Sequence, residues 1–214
     1  MSAILVDVDG TLLPGPSSEA LFVAHLLRRQ HIGPRQMMNA ALFVPRWGPQ
    51  LGRHVLKKNK AYLDGLAVDD VARWAEAFVE DRLAPRLRPA LIRRLDEHRA
   101  AGQRIVLLTG APEFIAGPLA RRIDADAWRA TCCARRNGAF TADPPVFHPF
   151  SEDKLRCSLE LCTMLGCELD DCTAYGDSVY DLPLLRRVGR PVAVFPDRRL
   201  ARTARDEGWE IVAA

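Results

Sequence analysis

One short apolar run lies near the start of the chain, and several more follow residue 85. The later runs are separated by longer segments whose apolar residues recur at helical spacing. Continuous apolar runs indicate strands that are buried on both faces. These runs lie at 4–6, 104–108, 173–175, 192–195 and 210–212. Helices are predicted at 89–101, from 112 onward, and at 151–165, 179–187 and 197–207, with a hairpin around Asn137-Gly138. Strands that alternate with helices predict an α/β fold, in which a parallel sheet carries helices on both faces.

Residues 16–85 have helical spacing and contain no convincing strand. The pattern predicts helices at 19–29, capped by Ser17 or Ser18, at 35–44, ended by Pro45, and at 49–63. A fourth helix is predicted to begin at an Asp69 cap, with an apolar stripe that includes Val71, Ala75 and Phe78. We therefore predict a core domain made of residues 1–15 and 86–214, and a helical domain of residues 16–85 inserted between its two parts.

The composition is that of an ordinary globular protein, with 48% hydrophobic and 27% charged residues. The net charge of +3 gives no reason to expect a nucleic-acid partner. No apolar run approaches the roughly 20 residues that span a membrane, and no basic segment precedes the first apolar run, so we expect a cytoplasmic protein without a signal peptide. The six cysteines contain no Cys-x-x-Cys pair, so we expect reduced thiols and no zinc.

Polar residues follow the ends of three predicted strands. Asp7 and Asp9 lie two residues apart, so their side chains lean to the same side of a strand, and Gly10 then lets the chain turn. These residues alone leave two interpretations open: a site, or one acid that caps a turn beside one in solvent. Because ligands of open parallel sheets bind beyond the carboxyl ends of the strands, the other polar residues there decide between them. Those residues are Thr109, Gly110, Asp177 and Asp181, with Lys154 near the start of a helix.

Four carboxylates in one crevice would repel one another and raise one another's pKa. A divalent cation removes this conflict, and oxygen ligands without a nearby His or Cys select a hard ion such as Mg²⁺. A magnesium ion held in this way commonly binds a phosphate as well. The hydroxyl of Thr109 and the ammonium of Lys154 are suited to binding phosphate oxygens.

Four motifs of this chain, in order and spacing, resemble those of the haloacid-dehalogenase-like superfamily. They are Asp7-Val8-Asp9-Gly10-Thr11-Leu12, Leu107-Leu108-Thr109-Gly110, Lys154, and Gly176-Asp177-Ser178-Val179-Tyr180-Asp181. The chain is most similar to the phosphoserine-phosphatase-like branch, subfamily IB. The resemblance covers the whole core and implies a Rossmann-like, doubly wound parallel sheet with a small all-helical cap domain inserted after the first strand.

The resemblance also implies a role for each matched residue. Asp7 would be the nucleophile that forms an aspartyl-phosphate, and Asp9 would protonate the leaving oxygen and then activate water. Thr109, with the backbone amides near Gly10 and Gly110, would bind phosphate oxygens, and Lys154 would offset their charge. Mg²⁺ would be held by Asp7, the Asp9 carbonyl, Asp177 and, directly or through water, Asp181.

These roles predict a Mg²⁺-dependent phosphatase acting on a small phosphorylated metabolite. The alternatives are a phosphotransferase or phosphomutase, and a non-catalytic regulator that binds a phosphate ligand. In phosphoserine phosphatases a Glu soon after the first motif contacts the substrate amine, whereas here the segment is Pro14-Gly15-Pro16-Ser17-Ser18 and Glu19 comes later. The substrate and the oligomeric state are left open.

The first part of the insert is basic. Arg53, Lys57 and Lys60 would share one face of the predicted helix at 49–63. We expect this face, with Arg53 as a substrate-binding residue, to contact an anionic part of the substrate. The alternative is a solvated basic face with no such role.

Overall fold

A computed structural model describes residues 2–213 of the chain. Its centre is a six-stranded parallel sheet with the strand order β3-β2-β1-β6-β7-β8. The strands are β1 (Ala3–Val6), β2 (Arg104–Pro112), β3 (Ala127–Thr131), β6 (Thr173–Gly176), β7 (Arg190–Val194) and β8 (Glu210–Val212). The fold class is therefore the predicted one, although β3 was not predicted as a strand of this sheet.

Strand β1 lies in the middle of the sheet, with Ile4 opposite Ile105 of β2 and Thr173 of β6. All four of its residues are buried, as an apolar run covered on both faces requires. Ile4 and Val6 belong to the hydrophobic cluster on one face, and Ala3 and Leu5 to the cluster on the other. Strand β1 therefore ends inside the protein, directly before the buried Asp7.

The sheet is flanked by helices that follow the predicted order. They are α4 (Pro89–Ala100), α5 (Glu113–Arg122), α6 (Glu152–Leu165), α7 (Leu182–Leu185) and α8 (Arg198–Asp206). The hairpin around Asn137-Gly138 is also confirmed, with β4 (Arg135–Arg136) antiparallel to β5 (Ala139–Phe140). Helix α5 continues through Pro118 without a break.

Three longer helices lie between β1 and α4: α1 (Ser18–Arg28), α2 (Pro34–Leu51) and α3 (Val68–Phe78). The side chain of Ser17 caps α1, whereas Asp69 lies in the first turn of α3 and the cap position is Ala67. Helices α1 and α3 share a hydrophobic cluster with β1 and α5, whereas Phe43 of α2 packs in a separate cluster with Val55 and Ala61. The boundaries of this insert at residues 16 and 85 stay a prediction.

Two predictions within the insert were wrong. Helix α2 does not end at Pro45 but continues through Pro45 and Pro49 to Leu51. Both prolines lie on its exposed face, where solvent can satisfy the carbonyls that a proline leaves without a partner. The helix predicted at 49–63 is absent; two short 3₁₀ turns, Gly52–His54 and Ala61–Leu63, occupy part of that range. Within residues 2–213, none of the helices combines the length and the hydrophobicity that a membrane span requires.

Candidate active site

A cavity of about 390 Å³ opens at the carboxyl ends of β1, β2 and β6. Four parts of the fold form it: the strand ends, the start of α1, the loop that leads into α6, and the segment that follows α2. Eight of the nine predicted site residues occupy its surroundings, and seven of them line it directly: Asp7, Asp9, Thr109, Gly110, Lys154, Asp177 and Asp181. The side chain of Asp177 lies against the eighth, Gly10.

Asp7 is buried directly after β1, where its backbone amide donates to the Tyr175 carbonyl of β6 and so extends the sheet by one residue. The ammonium of Lys154, from the first turn of α6, donates to Asp7 Oδ1 at 2.7 Å and to Asp181 Oδ1 at 2.6 Å. Lys154 is only 5% exposed, so these two charge-assisted bonds are well shielded from water. The ion pair fixes one oxygen of Asp7 and leaves Oδ2 for another partner.

Asp9 has a different environment from Asp7. Its Oδ1 accepts a hydrogen bond of 2.7 Å from the backbone amide of Ser18, the first residue of α1. This bond satisfies one of the unpaired amides of a helix N-terminus and fixes the orientation of the carboxyl group. Burial raises the pKa of Asp9, against the lowering effect of the Ser18 bond. A raised pKa makes the carboxyl hold its proton more readily, which suits a group that gives and takes a proton.

The turn after β1 requires a glycine at position 10. Gly10 has φ +89°, and a Cβ atom there would lie 2.0 Å from Asp177 Oδ2. Arg88, just before α4, supports the same turn by donating to the carbonyls of Gly10 and Thr11 at 3.4 and 3.0 Å. The absence of a side chain therefore lets the Asp177 carboxylate approach the end of β1.

Thr109 and Gly110 lie at the end of the adjacent strand, β2. Thr109 is 1% exposed, and its Oγ1 accepts a hydrogen bond of 3.0 Å from the backbone amide of Ala111. The accepting oxygen keeps its O–H free to donate. This hydroxyl and the nearby backbone could bind the oxygens of an anion in the cavity.

The acids at the strand ends are poorly solvated and close together. Burial raises the pKa of Asp7 to about 8, although Lys154 opposes the shift, while Asp181 and Asp177 add to it. Burial and the neighbouring Asp181 raise the pKa of Asp177 to about 7. Burial lowers the pKa of Lys154, but Asp181 and Asp7 outweigh burial and raise it overall. The single positive charge of Lys154 is therefore too little to balance the three carboxylates.

This donor set fits a hard divalent cation. Asp7, Asp177 and Asp181 each offer a carboxylate oxygen, and these oxygens lie within 4.8 Å of one another. Oxygen-only ligands of this kind suit Mg²⁺, and a cation would offset the repulsion that raises the pKa values of Asp7 and Asp177. Asp181 also accepts hydrogen bonds from the amide and hydroxyl of Ser178, both at 3.3 Å. With Oδ1 bonded to Lys154, both oxygens of Asp181 already have partners, unlike those of Asp7.

Arg53 is not brought to the cavity with the other predicted residues. It is exposed, and its Nε donates to Nε2 of His54 at 3.0 Å. The common basic face is lost with the predicted helix, because Lys57 lines the cavity while Lys60 is buried and bonded to Glu19. Arg53 therefore does not line the cavity, and the expectation that it contacts the substrate stays a prediction.

The cavity has an aromatic wall that the sequence analysis did not identify. Phe150 stacks on His148 and lies 4.5 Å, between ring centroids, from Tyr180. His148 is buried, lines the cavity, and bonds through Nδ1 to Thr131 Oγ1 at 2.7 Å. Burial, together with Lys60 and three other basic residues, lowers its pKa to about 3. The one sequence signal for this aromatic wall is that residues 148–150 lie just before the helix that carries Lys154.

Comparisons with known proteins identify the family of this chain. Residues 4–186 match the family of haloacid dehalogenase-like hydrolases. A Mycobacterium tuberculosis protein, phosphoserine phosphatase SerB1, is 29% identical over 98% of this chain and 70% of its own length. A histidinol-phosphatase of Neisseria meningitidis is 26% identical over 73% of this chain and 72% of its own length.

Solved structures give the same result for the fold. The crystal structure of a Bordetella pertussis protein of unknown function has a TM-score of 0.83 and 27% identity, covering 99% of this chain and 97% of that one. A substrate-bound phosphoserine phosphatase shares the fold with a TM-score of 0.64 at 16% identity, covering 99% of this chain and 92% of that one. The chain therefore belongs to the haloacid dehalogenase-like hydrolase family and is a phosphoserine-phosphatase-like phosphoric monoester hydrolase.

Proposed function

We propose that this protein hydrolyses a small phosphomonoester in the presence of Mg²⁺ through an aspartyl-phosphate on Asp7. The observation that carries the proposal is the pair of bonds from Lys154 to Asp7 and Asp181, inside a cavity that Asp177 and Thr109 also line. Phosphoryl transfer depends mainly on positioning and charge neutralisation, which these groups can supply. A regulator that only binds phosphate would need no such buried, oriented carboxylate.

In the first half of the proposed reaction, Asp7 Oδ2 attacks phosphorus while Lys154 holds Oδ1. The ester P–O bond breaks as the Asp7 O–P bond forms, and Asp9 gives its proton to the departing alkoxide. In the second half, Asp9 takes a proton from water as that water attacks phosphorus, which releases inorganic phosphate and restores Asp7. The hydroxyl of Thr109 and the ammonium of Lys154 bind the phosphoryl oxygens.

Asp7 and Asp177 are the residues best placed to hold Mg²⁺, with Asp181 contributing directly or through water and the Asp9 carbonyl as the further expected ligand. When bound, this ion supplies positive charge to the phosphoryl oxygens and orients them. The raised pKa values of Asp7 and Asp177 support a cation at this place.

The cavity volume of about 390 Å³ supports a small substrate. Glu19 lines the cavity, but its two oxygens accept bonds from Lys60 Nζ and from the Tyr62 hydroxyl. Because both oxygens have partners and the charge is balanced, Glu19 is poorly suited to recognising a substrate amine. We therefore expect phosphomonoesters without an amine to be turned over at least as well as phosphoserine in a comparison of kcat/KM.

The test is turnover of p-nitrophenyl phosphate with Mg²⁺, together with trapping of radioactive phosphate on acid-quenched protein. Asp7→Asn should abolish both turnover and labelling, because it removes the nucleophile. Asp9→Asn should lower turnover by about 10²–10⁴-fold yet accumulate label, because attack remains possible while the water is no longer activated.

Asp206→Asn is the matched control, since this exposed acid on α8 lies outside the cavity, and it should leave turnover unchanged. Absence of turnover on every phosphoester would instead favour a phosphate-binding regulator. Transfer of the phosphoryl group to an added alcohol in preference to water would favour a phosphotransferase.

A further inference from the structure

Three cysteines meet at the opposite end of the sheet from the cavity. Cys162 lies near the end of α6, Cys167 in the loop that follows, and Cys172 directly before β6. Asp177 follows the same strand at its other end, so the length of β6 separates this cysteine cluster (Cys162, Cys167 and Cys172) from the proposed catalytic residues. The two groups are therefore independent.

The local backbone explains how cysteines five residues apart come together. Gly166 ends α6 in the left-handed conformation at φ +67°, which turns the chain back on itself. The amide of Cys167 then donates to the Cys162 carbonyl at 3.0 Å, and the amide of Cys172 donates to the Leu169 carbonyl at 2.9 Å. The spacing lacks a Cys-x-x-Cys pair, so the cluster arises from this turn.

The sulfur atoms have the separations of ligands to one ion. Cys172 Sγ lies 3.7 Å from Cys162 Sγ and 3.9 Å from Cys167 Sγ, and all three sulfurs lie within 4.8 Å of one another. Two thiolates bound at about 2.3 Å to one tetrahedral zinc ion are about 3.8 Å apart. The sulfurs thus converge on one point at suitable distances, whereas the remaining described cysteines, Cys132, Cys133 and Cys157, are not part of the cluster.

The surroundings of the cluster favour a soft ion. Cys162 and Cys172 are 2% and 0% exposed, and both belong to the hydrophobic cluster that includes Leu161 and Leu169. Cys167, at 8% exposed, lies nearest to solvent and offers a route of entry. Thiolates select Zn²⁺ or Cu⁺ over hard ions such as Mg²⁺, so this cluster would not compete for the ion expected in the cavity.

We propose that Cys162, Cys167 and Cys172 bind one thiophilic ion, Zn²⁺ or Cu⁺, which joins the end of α6 to the start of β6. Each cysteine that binds forms a metal–sulfur bond and releases its thiol proton to solvent, with no change of oxidation state. Helix α6 carries Lys154 near its start, and β6 leads to Asp177. The ion would therefore join the two elements at the ends that lie away from these residues. The proposal does not depend on the function proposed above.

The experiment uses the full chain, reduced and stripped with a chelator, in excess Mg²⁺ so that the carboxylates are occupied. Zn²⁺ and Cu⁺ are titrated separately against chromophoric competitors, and thermal unfolding is followed in parallel. We expect one ion per chain and a Tm rise of roughly 5–10 °C at saturation near 100 times Kd. We also expect protection of three thiols from a thiol reagent added in mild denaturant, where the buried thiols of the metal-free chain become accessible. The titration that shows these changes, with Zn²⁺ or with Cu⁺, identifies the ion.

Cys162→Ser and Cys172→Ser should weaken binding by more than about tenfold, because they remove direct ligands. Cys157→Ser is the matched control, since this buried cysteine lies on the same helix outside the cluster, and it should bind like the parent chain. If the serine variants fail to fold, the number of protected thiols and the Tm rise of the unmodified chain still test the proposal. The proposal fails if no ion protects the three thiols, if Cys157→Ser binds as weakly as Cys162→Ser, or if Asp7→Asn alone abolishes binding.

Discussion

Lys154 is the residue on which the charge balance of the cavity depends. Its ammonium is almost fully buried and lies between Asp7 and Asp181, each within hydrogen-bond distance. Removing one partner from a buried ion pair is far more costly than removing an exposed pair, because the remaining charge stays buried and uncompensated. Stability and catalysis are therefore linked at this one side chain.

Lys154→Ala should abolish turnover and lower the free energy of unfolding by about 3 kcal/mol without Mg²⁺ at a pH above about 8, where Asp7 is ionised. Added Mg²⁺ should raise the Tm of this variant more than that of the parent chain, because the cation would replace part of the missing positive charge. Chemical denaturation and thermal unfolding with and without Mg²⁺ measure both effects.

Arg156→Ala is a suitable control for Lys154→Ala. Arg156 lies on the same helix, is exposed, and pairs only with Asp153 among the described residues. Its loss should change the free energy of unfolding by no more than about 0.5 kcal/mol. Equal losses in the two variants, or an identical response to Mg²⁺, would contradict the role given to Lys154.

At the scale of elements, the turn after β1 and the end of β6 are fitted to each other at Gly10. Gly10→Ala should place a methyl group where Asp177 Oδ2 now lies and so displace that carboxylate. We expect a large loss of kcat at saturating Mg²⁺ together with weaker Mg²⁺ binding, measured by steady-state kinetics and calorimetry.

Gly102→Ala separates this contact from backbone strain. Gly102 has φ +75°, close to the +89° of Gly10, but a Cβ atom there would meet nothing within 4 Å. It should cost about 1–2 kcal/mol of stability for the left-handed conformation and leave kcat unchanged. Comparable losses of kcat in both variants would attribute the effect to strain rather than to Asp177.

The elements also explain which predictions from sequence succeeded. Buried parallel strands are continuous apolar runs, so β1, β2 and β6 and the polar residues at their ends could be identified from sequence. Helix α2 could not, because the effect of Pro45 depends on which face of the helix it occupies. The aromatic wall at residues 148–150 and the position of Lys57 depend on loops that have no hydrophobic period. The cysteine cluster required the left-handed turn at Gly166, which no spacing rule identifies.

At the scale of the whole molecule, the carboxylates at the strand ends connect stability, pH and metal binding. The unfolded chain loses its carboxyl protons near pH 4, whereas the folded chain keeps those of Asp177 and Asp7 to about pH 7 and 8. The metal-free folded state therefore binds more protons over this range, and these two groups lower its stability as pH rises. Mg²⁺ requires the ionised forms, so it must displace protons at low pH but not at high pH.

The Mg²⁺-dependent increase in Tm should therefore grow from about pH 6 to about pH 8.5, where both groups are ionised. The lowered pKa of His148, about 3, reduces the stability of the fold only as pH falls. This effect is the same with and without Mg²⁺, so it cancels in the Tm difference between the two conditions. Thermal unfolding in Mg²⁺ and in chelator across this pH range measures the effect. Asp177→Asn should reduce both the increase and its pH dependence, because the amide has no proton to displace. A Tm difference that stays constant from pH 6 to pH 8.5 would mean that Mg²⁺ is not held by these carboxylates.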